Sequence, residues 1–98
     1  MTIFIAMLKV KPGLEAEFER LQTELSQISH ATEPDMHVYD VIRHKDKPGT
    51  YVVYARFKDE AAFQVHQQAP DHDRLVPPIL ATLAEDMDLQ FFRSEEHT

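Results

Sequence analysis

The sequence predicts an α+β fold in which elements follow in the order β-α-β-β-α-β and all four strands share one antiparallel sheet. Three observations point there. The chain has 98 residues, which suits one domain and leaves little room for two. Its apolar residues fall into short extended runs that alternate with stretches of helical spacing. Proline and glycine stand at the changes, as in Pro12-Gly13 and Pro48-Gly49.

Residues 2–10 are mostly apolar and end at Lys11-Pro12-Gly13, which suits a buried first strand. Residues 14–29 then place Leu14, Phe18, Leu21, Leu25 and Ile28 on one face of a helix. Glu15, Glu17, Glu19 and Glu24 lie elsewhere on its surface, and the early acids suit a helix N-terminus. Residues 36–43 read as the second strand, His44 to Gly49 as a turn, and residues 50–58 as a β-branched and aromatic third strand. Asp59 caps a second helical segment with Ala62, Phe63 and His66 on one side. Pro70 interrupts it. The pattern resumes near Asp71 through Leu75, Ile79 and Leu83, with a distortion expected at Pro77-Pro78. Residues 87–93 form the last strand. Together these make a split βαβ, ferredoxin-like unit. The domain is expected to span residues 1–93, followed by a polar tail at residues 94–98.

A half-covered sheet should alternate apolar and polar residues. Here both faces are apolar. The first strand carries Ile3, Ile5 and Met7 on one side and Phe4, Ala6 and Leu8 on the other. The third sets Tyr51, Val53 and Phe57 against Val52 and Tyr54. A chain this short has helices for one face. A second copy is expected to cover the other, giving a homodimer through the sheet face.

Composition narrows the function classes. There are 17 acidic and 10 basic side chains, a formal net charge of −7, which argues against nucleic acid and anionic membranes as partners. With no cysteine there is no disulfide, thiol nucleophile or thiolate metal site, and a cytoplasmic location is the simplest expectation. Two glycines exclude a Gly-rich phosphate loop. The apolar N-terminus lacks a basic flank and a cleavage site and reads as a strand, not a signal peptide. No run approaches the ~18 apolar residues of a membrane span.

Six histidines are the main candidates for chemistry: His30, His37, His44, His66, His72 and His97. His97 falls in the tail and His44 in a turn, where exposure is expected. His30, His37 and His44 build no common face, and no metal-ligand motif is present. His66 falls on the helix face that should meet the sheet, where a near-neutral imidazole can exchange a proton. Its alternative is a buried histidine with a purely structural hydrogen bond. His72, near a helix start, could cap or face solvent. Tyr39 and Tyr54 offer hydroxyls to a phenolic or quinone-like ligand, or simply pack. Arg56, Asp40 and Arg43 suit surface or interfacial roles.

Several motifs, in this order, resemble the antibiotic biosynthesis monooxygenase (ABM) domain family over about residues 3–92. They are Val10-Lys11-Pro12-Gly13, a helix with Phe18 and Leu21, Glu33-Pro34 before a strand with Tyr39, Tyr51-Val52-Val53-Tyr54, and Lys58-Asp59-Glu60-Ala61-Ala62. The most specific is His66-Gln67-Gln68-Ala69-Pro70-Asp71-His72, similar to the family's histidine followed by a Thr-Pro-His-like turn. The resemblance implies a dimeric α+β barrel with a pocket between sheet and helices in each subunit. It also implies the chemistry of some members, which oxidise polycyclic phenols or quinols with O2 and without metal, flavin or other cofactor, the substrate's own anion supplying the electron. On it, His66 matches the helix-two histidine and His72 the histidine of the turn; taken with the residues themselves, His66 is expected to be the proton acceptor, and Tyr39, Tyr54, His72 and Phe63 to hold a small aromatic substrate.

The sequence departs from the family where many members carry Glu and then Trp at the end of strand three; here those residues are Ala55 and Phe57. The haem-degrading branch is disfavoured: strand one has no Asn, His66 stands in the Trp place, and Val76 or its neighbours stand where a His belongs. The missing Glu keeps two alternatives open. One is a non-catalytic dimeric small-molecule-binding module. The other is an isomerase of the same fold acting on a small phosphorylated or keto compound, against which it counts that Arg56 is the single basic candidate near the pocket.

Overall fold

The computed structural model describes residues 1–95. Residues 96–98, and with them the expectation for His97, lie outside the described residues. The elements are β1 (Thr2–Lys9), α1 (Glu15–Thr32), β2 (Met36–Arg43), β3 (Thr50–Phe57), α2 (Glu60–Gln68), α3 (Pro70–Ala81) and β4 (Asp88–Arg93). The strands form one sheet in the order β2-β3-β1-β4, every neighbour antiparallel.

The helices cover one face. Phe4, Ala6 and Leu8 of β1 and Tyr51, Val53, Ala55 and Phe57 of β3 pack with Phe18, Leu21, Leu25, Phe63, Leu75 and Ile79 in a single core. Phe18 and Phe57 are fully buried, and each is worth about 1.5–3 kcal/mol in transfer free energy. β3 alternates strictly between buried and half-buried, so its second set, Val52, Tyr54 and Arg56, faces away from the helices. The strand register places Ile42, Met7 and Phe92 on that same open face. These three are exposed, at 53%, 42% and 46%.

Helix α1 runs three residues past its expected end. Thr32 Oγ1 donates to the Ile28 carbonyl at 2.8 Å, and the Glu33 N–H to that of Ser29 at 2.9 Å. The helix stops where Pro34 forces its predecessor out of helical geometry. The buried stripe is also rotated from the expected one. Phe18, Leu21, Gln22, Leu25 and Ser29 are buried, whereas Leu14 and Ile28 sit at its half-exposed margin.

Asp59 caps α2 as its position predicts, its carboxylate accepting from the Ala62 N–H at 2.9 Å. Pro70 does separate α2 from α3, because Ala69 before it is held extended. Pro70 then serves as the first residue of α3, where a missing N–H costs nothing. The distortion expected at Pro77-Pro78 does not break α3, which is continuous through both. The carbonyls they leave without donors belong to Asp73 and Arg74. All four residues are exposed, so water can satisfy those groups, while Leu75 and Ile79 anchor the buried side.

Candidate functional site

Two neighbouring elements bring the polar groups of the core together. His66 lies in the last turn of α2, one turn after Ala62 and Phe63, and all three are buried. Glu33 follows α1 directly. Its carboxylate accepts from His66 Nδ1, with oxygens at 3.0 and 3.3 Å. Both side chains are almost wholly buried, at 2% and 6% exposure.

The pairing decides the tautomer. An ionised carboxylate can only accept, so Nδ1 carries the proton and the Nε2 lone pair is left bare. Nε2 has no protein partner among the described residues. No buried side-chain nitrogen or oxygen there is sealed off without a partner, so Nε2 borders open space. That space is a cavity of about 170 Å³ between sheet and helices. Its wall is largely apolar, with Phe4, Leu25, Phe63, Ile79 and Met87, and is broken by Gln22, Tyr39, His66, Gln67 and His72. Glu33 borders a different cavity, of about 50 Å³, beside Pro34, Asp35 and Val65. The His66–Glu33 pair therefore spans the partition between the two.

Aromatic rings fix the imidazole in place. Tyr39 and Phe57 lie 5.4 and 5.3 Å from it, and the His72 ring meets it edge-on at 5.1 Å. The Tyr39 hydroxyl donates to Gln22 Oε1 at 3.2 Å. Burial, and then the charge of Glu33, push the Tyr39 phenol well above its ordinary range, so it stays protonated. Burial lowers the pKa of His66 against the opposing pull of Glu33. His72 is lowered by burial and then by its neighbour His66.

These shifts make acid destabilising. Both histidines have folded-state values below their ordinary 6.5. Below about pH 6.5 the unfolded chain takes up protons that the folded chain resists, so stability declines as pH falls through the folded-state values. The urea midpoint is expected to drop from about pH 7 to about pH 5, and less steeply in a His72→Gln variant. Equal slopes in the two proteins would remove His72 from this account.

Of the residues singled out from sequence, Tyr39, Phe63, His66 and His72 meet at one cavity. Tyr54 does not. Tyr39 pairs with Ala55 across the β2–β3 ladder, and adjacent strand residues point to opposite faces, so Tyr54 lies on the open face opposite Asp40. Arg56 shares that face, away from the cavity. Among the described residues no three His, Asp or Glu side chains group as a metal site, and no helix is long and apolar enough to cross a membrane.

Periodicity missed two residues. Gln22 carried a signal, since it sits between Leu21 and Leu25 inside the apolar stripe of α1. Glu33 appeared only in the Glu33-Pro34 motif, and its pairing with His66 carried no signal, because the two are 33 positions apart and outside any helical period. Ala55 leaves strand three without a carboxylate, and Glu33 brings one to His66 from another element.

The comparisons with known proteins agree with this fold. A Caulobacter crescentus protein, provisionally called an antibiotic biosynthesis monooxygenase, superposes with a TM-score of 0.92 at 26% identity, over 97% of this chain and 90% of that one. A solved antibiotic biosynthesis monooxygenase gives a TM-score of 0.89 at 27% identity, over 98% and 100%. SnoaB, a cofactor-independent oxygenase from Streptomyces nogalater, gives 0.84 at 21% identity over 98% and 94%, a likeness of fold alone. No curated protein matches the chain. The family model for antibiotic biosynthesis monooxygenase matches residues 1–77. That span takes in Gln22, Glu33, Tyr39, His66 and His72, and the chain belongs to the antibiotic biosynthesis monooxygenase (ABM) family.

Proposed function

We propose that this protein is a cofactor-independent monooxygenase that oxidises a small phenol or quinol with O2. The observation that carries the reading is the buried His66–Glu33 pair presenting a bare Nε2 to a mostly apolar cavity. Its ≈170 Å³ is close to the roughly 150 Å³ that accommodates benzene in a protein interior, so a single ring fits.

For a hydroquinone the reaction balances as hydroquinone plus O2 giving hydroxybenzoquinone plus water. His66 Nε2 takes the hydroxyl proton, and the ring becomes an electron-rich phenolate. Electrons pass from the phenolate to O2, and a carbon–oxygen bond forms at the adjacent ring carbon. His66 returns its proton to the peroxide. The O–O bond then breaks as that carbon loses its hydrogen, one oxygen staying as a carbonyl and the other leaving as water. The substrate supplies all four electrons. Glu33 stabilises the imidazolium, and the apolar wall keeps bulk water from the reduced intermediate.

Oxygen-electrode measurements with a panel of single-ring hydroquinones test this. One O2 consumed per hydroquinone, with hydroxyquinone formed, is the expected result. Binding without uptake across the panel would overturn the oxygenase and leave a small-molecule-binding module.

The working unit is a homodimer in this reading. Apolar side chains on the open sheet face, among them Met7, Ile42 and Phe92, favour a second copy as their cover. Sedimentation equilibrium is expected to give twice the chain mass, and Ile42→Lys to shift it to one chain. A monomeric wild type at micromolar concentration would exclude this arrangement.

A further inference from the structure

We infer that Gln22 is a hydrogen-bond donor to the bound molecule, so that the cavity selects a ring bearing two oxygens. The side chain is almost fully buried, at 4% exposure. Its carbonyl oxygen is taken by the Tyr39 hydroxyl, which orients the amide. The amide nitrogen then has no protein acceptor among the described residues. It is not sealed off either, since no buried side-chain nitrogen there lacks a partner. Gln22 lines the same cavity as His66, so the free N–H groups border that space.

A donor left without a partner at an apolar wall costs free energy until a ligand oxygen accepts from it. His66 Nε2 asks for a ligand hydroxyl, which donates. Gln22 Nε2 asks for a second ligand oxygen, which accepts. The two demands differ in kind, so a ring with one oxygen meets only one of them. The assignment rests on the proposed use of this cavity for a phenolic ligand, but not on turnover.

Anaerobic calorimetric titration with hydroquinone and with 4-methylphenol tests it. The two probes have nearly the same shape and differ in the second oxygen. Wild-type protein is expected to bind hydroquinone about 10-fold more tightly. Gln22→Met should remove that preference and leave 4-methylphenol binding within about twofold. Tyr39→Phe, which frees the amide to rotate, should weaken the preference without abolishing it, and keeps the test open if Gln22→Met does not fold. Equal wild-type affinities, or a preference that survives Gln22→Met, would overturn the inference. Oxygen uptake is separate: its absence with the preference intact removes the oxygenase reading and leaves the role of Gln22 standing.

Discussion

Replacing His66 with glutamine is expected to slow hydroquinone-dependent oxygen uptake by about 10²- to 10⁴-fold, the range that a positioned general base supplies. Glutamine can still reach the Glu33 carboxylate as a donor, so the buried acceptor keeps a partner. What it lacks is a basic nitrogen. Its carbonyl oxygen can still accept from the ligand hydroxyl while its N–H donates to Glu33, so the loss should appear in kcat, with KM and the binding of 4-methylphenol little changed. His66→Ala should slow uptake at least as much, and it also leaves Glu33 buried without a donor. Uptake that persists in His66→Gln at the wild-type rate would remove His66 from the chemistry.

Glu33→Gln is the second large effect. It keeps an acceptor oxygen for His66 Nδ1 but removes the negative charge that favours the imidazolium. A loss of about 10- to 100-fold in kcat/KM is expected, typical when the outer partner of a functional histidine is removed. The pH profile distinguishes this from a merely structural role. His66 works as the neutral base, so activity should fall on the acid side, with the limb below the ordinary histidine value because burial lowers it. Glu33 acts in the opposite direction. Without its charge the limb should move to still lower pH, while the plateau drops because a weaker base accepts the proton less readily. An acid limb that stays in place in Glu33→Gln would show that the carboxylate does not tune the base.

The element order was readable because it depends on local periods. Strand boundaries at 36–43, the Asp59 cap and the break at Pro70 follow from side-chain alternation, a short carboxylate and the extended backbone that a proline imposes on the residue before it. His66 was readable as inward-facing for the same reason: it repeats the positions of Ala62 and Phe63 on one helix. The two-sided apolar character of β1 and β3 was also visible, as the lack of apolar–polar alternation along each strand.

Tyr54 shows where that reading stops. Tyr39 and Tyr54 are on neighbouring strands, and their relative facing depends on register, which a shift of one residue reverses. The bulge between Met36 and Val38 helps set that register, and the tertiary structure places Tyr39 opposite Ala55. Gln22 and Ser29 belong to the buried stripe because α1 packs with a small rotation that hydrophobic spacing alone did not resolve.

By itself, then, the sequence determined the strands and helices, one histidine on the sheet-facing side of its helix and an acidic chain without cysteine, since these rest on residue type and short-range spacing. Only the tertiary structure decided that Glu33 meets His66, that Gln22 opens onto the same cavity and that Tyr54 does not. Those are contacts between distant segments, and packing, register and burial fix them together.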